Sequence, residues 1–188
     1  MILAVNKTMN EEKENIMDKI PEHKFKCRFQ HQTFMIWKDV STDMMFKDKK
    51  VVIFGLPGAF TPTCSSKHLP EYEEKYELFK EQGIDDIYCI SVNDAFVMNA
   101  WGSSLVPKVE KVFLCPDGDG KFTDKMKMLI DKPKVGFGLR SWRYSALVNN
   151  GVIEKMFIES GKNNESADED PYEVSGATTM LDYLKDNK

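Results

Sequence analysis

The stretch VVIFGLPGAFTPTCSSKHLPE, residues 51–71, decides the fold. Its apolar start, residues 51–55, predicts a strand that is covered on both faces, and a loop rich in Gly and Pro then leads to a helix that begins near Cys64. This geometry points free backbone N–H groups and the positive end of the helix dipole at that residue. A thiol in such a field ionises more readily than a free cysteine, whose pKa is about 8.5, and the thiolate is the nucleophilic form. The stretch therefore predicts a reactive cysteine at position 64.

Strand and helix patterns alternate along the rest of the chain. Alternating or continuous apolar runs predict strands at residues 24–30, 34–40, 86–92, 111–115, 143–148 and 152–158. Helical spacing and capping residues predict helices after Ser41 or Thr42, up to Gly83, at 94–101, at 123–129, and after a cap at Ser175. Since the last two strands flank an Asn-Asn-Gly turn, they should form a hairpin. The order predicts an α/β sandwich with a mixed central sheet flanked by helices.

Length and charge limit the possible classes of protein. The 188 residues are 41% hydrophobic, which suits one core, and we expect a polar extension at residues 1–20 and a single domain at 21–188. The net charge is −4 with no basic stripe, so nucleic acid is not expected as a partner. No apolar run approaches the roughly 20 residues that a membrane span needs. These features predict a soluble cytoplasmic protein, with an organellar form left open.

The spacing of cysteines and histidines excludes several kinds of site. The four cysteines form no Cys-x-x-Cys pair, which favours reduced thiols over structural disulfides. Lys67 stands where a dithiol oxidoreductase would carry its second cysteine, and Pro70 stands where a cysteine phosphatase would carry its arginine. We expect His68 to be structural rather than a general base. None of the histidines pairs with a cysteine at zinc-finger spacing, so neither metal nor cofactor is expected.

Peroxide reduction is the chemistry that suits a single activated thiolate. Attack on the O–O bond leaves Cys64 as a sulfenic acid, and the leaving oxygen needs hydrogen-bond donors. Thr61 can supply one such donor, and Pro57 with Phe60 can keep water from the sulfur. An arginine is the suitable cation because its planar fork can bridge the thiolate and the peroxide oxygens.

The motif Pro57-Gly-Ala-Phe-Thr61-Pro-Thr-Cys64 resembles the Pro-x-x-x-Thr-x-x-Cys signature of peroxiredoxins. The longer run PGAFTPTCSSKHLP is similar to the peroxiredoxin-five and plant type II subfamily. The likeness continues through CISVNDAFVMNAWG, FLCPDGDGKFT and GFGLRSWRYSALVNNGVIEKMFIE, so it covers roughly residues 47–185. It is greatest to the peroxiredoxin part of bacterial peroxiredoxin–glutaredoxin hybrids.

The resemblance implies a thioredoxin fold, homodimerisation through a face near the active site, and hydrogen peroxide or alkyl hydroperoxides as substrates. It implies Cys64 as the peroxidatic nucleophile, Thr61 as its hydrogen-bond partner, Pro57 as the shield and Arg143 as the catalytic arginine. Arg140 lies close in sequence and is the alternative cation.

The identity of the resolving thiol stays open. Some family members carry a C-terminal resolving cysteine, which this chain lacks, and Cys89 has the spacing found in plant type II members. We favour a buried, inert Cys89, and an external reductant, either glutathione with glutaredoxin or thioredoxin. A thioredoxin-fold redox sensor or interaction module, in which Cys64 reacts without rapid turnover, is the alternative to the enzyme.

Overall fold

The computed structural model describes residues 18–162 and 169–187. Its nine strands within these ranges are β1 (Lys24–His31), β2 (Phe34–Ser41), β3 (Lys50–Gly55), β4 (Asp86–Ser91), β5 (Phe113–Pro116), β6 (Leu129–Lys132), β7 (Gly138–Ser141), β8 (Tyr144–Asn149) and β9 (Val152–Ile158). The α-helices are α1 (Thr42–Phe46), α2 (Leu69–Glu74), α3 (Tyr76–Glu81), α4 (Ala95–Ser104), α5 (Lys121–Lys125) and α6 (Ala177–Asp186), and a π-helical turn covers Cys64–His68. The strand and helix order agrees with the α/β prediction over most of the chain.

Five strands form the central sheet in the order β5-β4-β3-β8-β9. β3 pairs in parallel with β4, and β4 with β5, whereas β8 runs antiparallel to both β3 and β9. The sheet is therefore mixed, as predicted, and β3 lies at its centre. This topology has the thioredoxin-like arrangement that the resemblance implied.

The two faces of the sheet bury two separate apolar clusters. Val52 and Phe54 of β3 face the cluster that includes α2, α3 and α6, and the alternate residues Val51 and Ile53 face the cluster beneath the β1–β2 hairpin. All four side chains are fully buried. The continuous apolar run of β3 follows from this burial on both faces, because successive side chains of a strand point to opposite sides.

The start of the described chain is attached to the edge of the central sheet. Lys19 forms a β-bridge with Val152, and the Ile20 N–H donates to the carbonyl of Gly151 at 2.9 Å. These residues belong to the polar extension expected at residues 1–20. The rest of that expected extension, residues 1–17, lies outside the described residues.

Two local predictions were wrong. The helix expected at residues 123–129 ends early, at Lys125, and the chain turns through the positive φ of Lys127 into β6, which pairs with β7. The hairpin of β6 and β7 was not predicted. Ser175 does not cap the last helix: its hydroxyl donates to Glu159, and the free N–H groups at the start of α6 donate to the Glu71 carboxylate.

Among the residues that the structure describes, no helix has the length and apolar character needed to cross a membrane.

Candidate active site

Cys64 lies just after β3, where the chain turns into helix. Helical residues begin at Pro62, two residues before the cysteine, and the Ser65 N–H donates to the Thr61 carbonyl at 3.0 Å. From Cys64 the helix widens into a π-turn, in which the N–H of Leu69 bonds to the carbonyl of Cys64. Pro70 contributes to this irregular start because it has no N–H to donate to a normal helical ladder. The cysteine therefore occupies the first turn of a helix, as the sequence predicted, and its side chain is fully buried.

Strand register brings Arg143 to the same end of the sheet. Gly55, the last residue of β3, pairs with Tyr144, the first residue of β8, so Arg143 sits beside the loop that carries Cys64. A side chain at position 55 would collide with the Tyr144 ring, since a Cβ there would lie 2.2 Å from Cε1. Glycine thus permits the close approach of the two strands that positions the arginine.

The Arg143 guanidinium contacts the sulfur of Cys64. Nη1 donates to Sγ at 3.6 Å, and the arginine side chain is only 1% exposed. Burial by itself lowers the pKa of this guanidinium, but the sulfur of Cys64 and the carboxylate of Asp170 outweigh it and raise the pKa. The cation is therefore permanent, and it faces the sulfur in a site that excludes bulk water.

His68 is the second partner of Arg143. Its Nε2 donates to the carbonyl of Ser175 at 3.2 Å, and its Nδ1 accepts from Arg143 Nη1 at 3.0 Å, because a guanidinium can only donate. Burial and the charge of Arg143 hold the pKa of His68 well below its usual 6.5. The ring is thus a neutral acceptor that orients the arginine and does not act as a base on Cys64, in line with the structural role expected from the sequence.

The remaining candidates are Pro57 and Thr61, in the loop before Cys64, and Arg140. Pro57 is buried in the loop. Thr61 directs its hydroxyl proton to the carbonyl of Gly58 at 2.7 Å, so in this arrangement the hydroxyl does not donate to the sulfur. Arg140 donates through Nε to the carbonyl of Phe137 at 3.0 Å and lies against Gly58. Of the two arginines, Arg143 is the one that contacts Cys64.

The other cysteines are unpaired and buried. Cys89 lies in β4 and is fully buried; burial, together with the nearby Cys64, raises the pKa of its thiol well above the usual value. Burial likewise raises the pKa of Cys115, and it raises that of Cys27 to about 12. These thiols stay protonated at neutral pH, as is typical of unreactive cysteines in a hydrophobic core.

One cluster of possible metal ligands occurs in the described part of the chain. It consists of His23, Asp117 and Asp119. Both oxygens of Asp117 accept backbone N–H groups at the start of α5, and Asp119 pairs with Lys121 at 2.7 Å. The acidic groups are already satisfied by the protein, and nothing about the cluster points to a bound ion.

Sequence reasoning missed the carboxylates behind the arginine. Nη2 of Arg143 donates to Asp170, and the buried Glu159 accepts the backbone N–H groups of residues 173–175. Asp170 belongs to an acidic loop whose residues look alike in sequence, so nothing marked it as a partner. Arg143 itself indicated that an acidic partner exists, because a buried guanidinium needs a counter-charge.

Comparisons with known proteins agree with this fold. The Redoxin family model matches residues 18–174. A peroxiredoxin of Synechocystis is 52% identical over 173 residues, covering 89% of this chain and 90% of the relative. A hybrid peroxiredoxin of Haemophilus influenzae is 53% identical over 166 residues, covering 88% of this chain but 64% of that longer protein. The crystal structure of a Plasmodium falciparum antioxidant protein, a 1-Cys peroxiredoxin, superposes with a TM-score of 0.83 at 38% identity, covering 90% of this chain and 99% of that one.

The chain belongs to the Redoxin family, as a peroxiredoxin. It is accordingly a thiol-dependent peroxidase, an oxidoreductase that reduces peroxides at the expense of thiols. This membership favours the enzyme over the redox sensor or interaction module that the sequence left as an alternative.

The neutral His68 predicts a particular pH dependence of stability. Below about pH 6.5 the unfolded chain binds a proton at this residue and the folded chain does not. His68 therefore leaves the free energy of unfolding unchanged above about pH 6.5 and lowers it as the solution is acidified further. We expect the free energy of unfolding to lose up to about 1.4 kcal/mol per pH unit below 6.5 from this residue alone. Urea unfolding at several pH values between 7.5 and 5 would show a smaller slope in His68→Asn than in the natural protein.

His23 provides the matched control. Its pKa is also lowered, by burial, so His23→Gln removes a second, weaker contribution to the same slope. If His68→Asn left the slope unchanged while His23→Gln abolished it, His68 would not be the neutral buried group.

Proposed function

We propose that Cys64 is the peroxidatic nucleophile and that Arg143 is the group that activates it and binds the peroxide. The contact of 3.6 Å between Arg143 Nη1 and Cys64 Sγ, in a buried site, is the observation that supports this assignment most directly. Nε of Arg143 is also buried and has no hydrogen-bond partner among the described residues, so it is a donor for an incoming oxygen.

In the proposed step, the Cys64 thiolate attacks the hydroxyl oxygen of a hydroperoxide. The S–O bond forms as the O–O bond breaks, so the sulfur loses two electrons and the peroxide gains them. The leaving alkoxide, or hydroxide in the case of hydrogen peroxide, takes a proton from solvent, and Cys64 is left as a sulfenic acid. Arg143 stabilises the charge as it moves from sulfur to oxygen, because its donors are already in place.

Thr61 and Pro57 have supporting roles in this proposal. The Thr61 hydroxyl reaches the peroxide after rotation away from the Gly58 carbonyl, to which it donates in the resting arrangement. Pro57 is a buried part of the loop, without an N–H that would need water. Together they shape a dry pocket in which the donors act with greater strength.

An external thiol is the proposed reductant. A thiol such as glutathione displaces water from the sulfenic acid and forms a mixed disulfide, and a second thiol then releases Cys64 in reduced form. The resemblance to peroxiredoxin–glutaredoxin hybrids favours glutathione with glutaredoxin, and thioredoxin is the alternative. Cys89 does not serve as the resolving thiol in this cycle, since it is buried in a core strand and its raised pKa keeps it protonated.

We further propose a cytoplasmic homodimer with residues 21–188 as one domain. Four unpaired cysteines suit a reducing compartment. Phe60, in the same loop as Cys64, has 58% of its surface exposed, and an aromatic side chain at this position suits a contact face near the active site.

Substitution of the two central residues tests the proposed chemistry. We expect Cys64→Ser to abolish peroxide consumption and Arg143→Ala to lower the second-order rate constant by about 10² to 10³, the usual effect of removing a transition-state donor. Stopped-flow measurement of peroxide consumption would report both. Arg140→Ala is the matched control because it removes a neighbouring guanidinium that does not contact the sulfur. Rapid turnover by Cys64→Ser would refute the proposal.

Intact-mass analysis tests the one-cysteine cycle. After one equivalent of peroxide, we expect the reduced protein to gain one oxygen atom, and with glutathione present we expect a single glutathione adduct on Cys64. The Cys89→Ala variant should show the same mass increases, because Cys89 takes no part. A Cys64–Cys89 disulfide in the natural protein that is missing from Cys89→Ala would contradict the proposed cycle.

A further inference from the structure

Residues 169–176, here called the anchor segment, are fixed to the protein by buried charged side chains. Lys132, which is 1% exposed, donates through Nζ to the carbonyl of Glu169 at 2.6 Å. At the other end, the carboxylate of Glu159, 2% exposed, accepts the Ser175 N–H at 2.9 Å and its hydroxyl at 2.7 Å. Between these points the Tyr172 hydroxyl donates to Glu71. Such attachment at both ends and in the middle holds the backbone of the segment in one place.

The anchor segment delivers two groups to the active site. The carbonyl of Ser175 accepts from His68 Nε2 at 3.2 Å, which fixes the ring that in turn accepts from Arg143. The carboxylate of Asp170 accepts directly from Arg143 Nη2. The Tyr172 ring lies 5.6 Å from the guanidinium carbon. The segment therefore lies against the arginine.

The hydrogen bonds of the guanidinium divide between its two terminal nitrogens. Nη1 bonds to both Cys64 and His68, whereas Asp170 is the partner of Nη2 within the described residues. Because the fork is planar and rigid, fixing Nη2 also fixes the direction in which Nη1 points. Without Asp170, Nη2 would be a buried donor with no partner, and the guanidinium would turn to satisfy it.

The balance of charge around Arg143 also indicates a role for Asp170. When Cys64 is a thiolate, it supplies a negative charge to the buried Arg143. The sulfenic acid that follows is neutral, so the cation would then be buried without a counter-ion, which is costly. Asp170 supplies a negative charge in every state of the sulfur, and 35% exposure of its side chain reduces the cost of keeping it ionised.

We propose that Asp170 is a positioning residue that holds Arg143 in register with Cys64 through the catalytic cycle. The inference rests on the proposed role of Arg143. It assigns a part of the active site to the anchor segment, which lies outside the signature motif and more than a hundred residues after Cys64. Asp170 acts through the arginine and does not contact the sulfur.

Two substitutions of Asp170 separate its effect on the orientation of Arg143 from other effects on the peroxide rate. Asp170→Ala removes the acceptor, and we expect the second-order rate constant for hydrogen peroxide to fall at least about tenfold, because small misplacement of a catalytic group is costly. Asp170→Asn keeps an acceptor oxygen of the same size but no negative charge, so we expect its rate to lie between those of Asp170→Ala and the natural protein. Glu169→Gln is the matched control: it removes one negative charge from the adjacent residue, and its rate should equal that of the natural protein.

A second reaction of the same sulfur excludes a merely structural role. Alkylation of Cys64 by iodoacetamide needs the thiolate, which the nearby positive charge of Arg143 stabilises in either orientation of the fork, but it needs no donor aimed at a peroxide oxygen. Its rate in Asp170→Ala should therefore stay within about threefold of the natural value. The Cys89→Ala background makes the measurement specific to one reactive thiol near the arginine. Equal peroxide rates in Asp170→Ala and the natural protein would overturn the inference. It would also be overturned by parallel losses of peroxide rate, alkylation rate and thermal stability in both Asp170 variants.

These outcomes are distinct from failure of the proposed function. If Cys64→Ser still consumed peroxide, the assignment of the nucleophile would fail, whatever Asp170 did. If Cys64→Ser were inactive and Asp170→Ala fully active, only the positioning role would fail.

Discussion

The candidate active site depends on one constraint: the guanidinium of Arg143 is buried, and a buried cation needs a counter-charge and acceptors for its two terminal nitrogens. The sulfur of Cys64, the neutral ring of His68 and the carboxylate of Asp170 meet this requirement from two parts of the chain, the turn Cys64–His68 and the segment at residues 169–176. Each partner is itself held in place, the cysteine by the first helical turn after β3 and the other two through the segment at residues 169–176. The need to compensate one charge thus connects the loop that carries Cys64 with the segment at residues 169–176.

The sheet makes this convergence possible. Antiparallel pairing of β3 with β8 places Gly55 opposite Tyr144, and the missing side chain at Gly55 allows the tyrosine ring to pack closely. Arg143 then emerges beside the Cys64 loop although the two residues are far apart in sequence. The contact between sulfur and guanidinium is therefore a consequence of register, and a shift of one residue would direct the arginine to the other face.

Much of the architecture was predictable because it depends on local patterns. The apolar run of β3 and the Asn-Asn-Gly turn before β9 each specify their structure within a few residues, and both predictions are confirmed. The wrong predictions concern places where contacts with distant residues determine the local structure. The helix expected up to residue 129 ends at Lys125 without a glycine, because Lys127 adopts a positive φ that leads into β6. The last helix takes its cap from Glu71, about a hundred residues earlier, rather than from Ser175.

The residues of the site divide in the same way, into those that a local motif or a resemblance predicts and those that only the fold identifies. Cys64, Thr61 and Pro57 lie in one short motif, and Arg143 was expected from a resemblance, whereas Asp170 could not be distinguished from the acidic residues beside it. Its role emerges only when the fold shows which carboxylate lies against the arginine.

The reaction of reduced Arg143→Lys with hydrogen peroxide, followed by stopped flow, tests the central claim most directly. Lysine keeps the positive charge but cannot bond to Cys64, His68 and Asp170 at fixed angles. If the oriented fork is what the buried network maintains, the second-order rate constant should fall by at least about 10², as for loss of a preorganised donor. A rate constant within about threefold of that of the natural protein would contradict the account, because charge alone would then be sufficient.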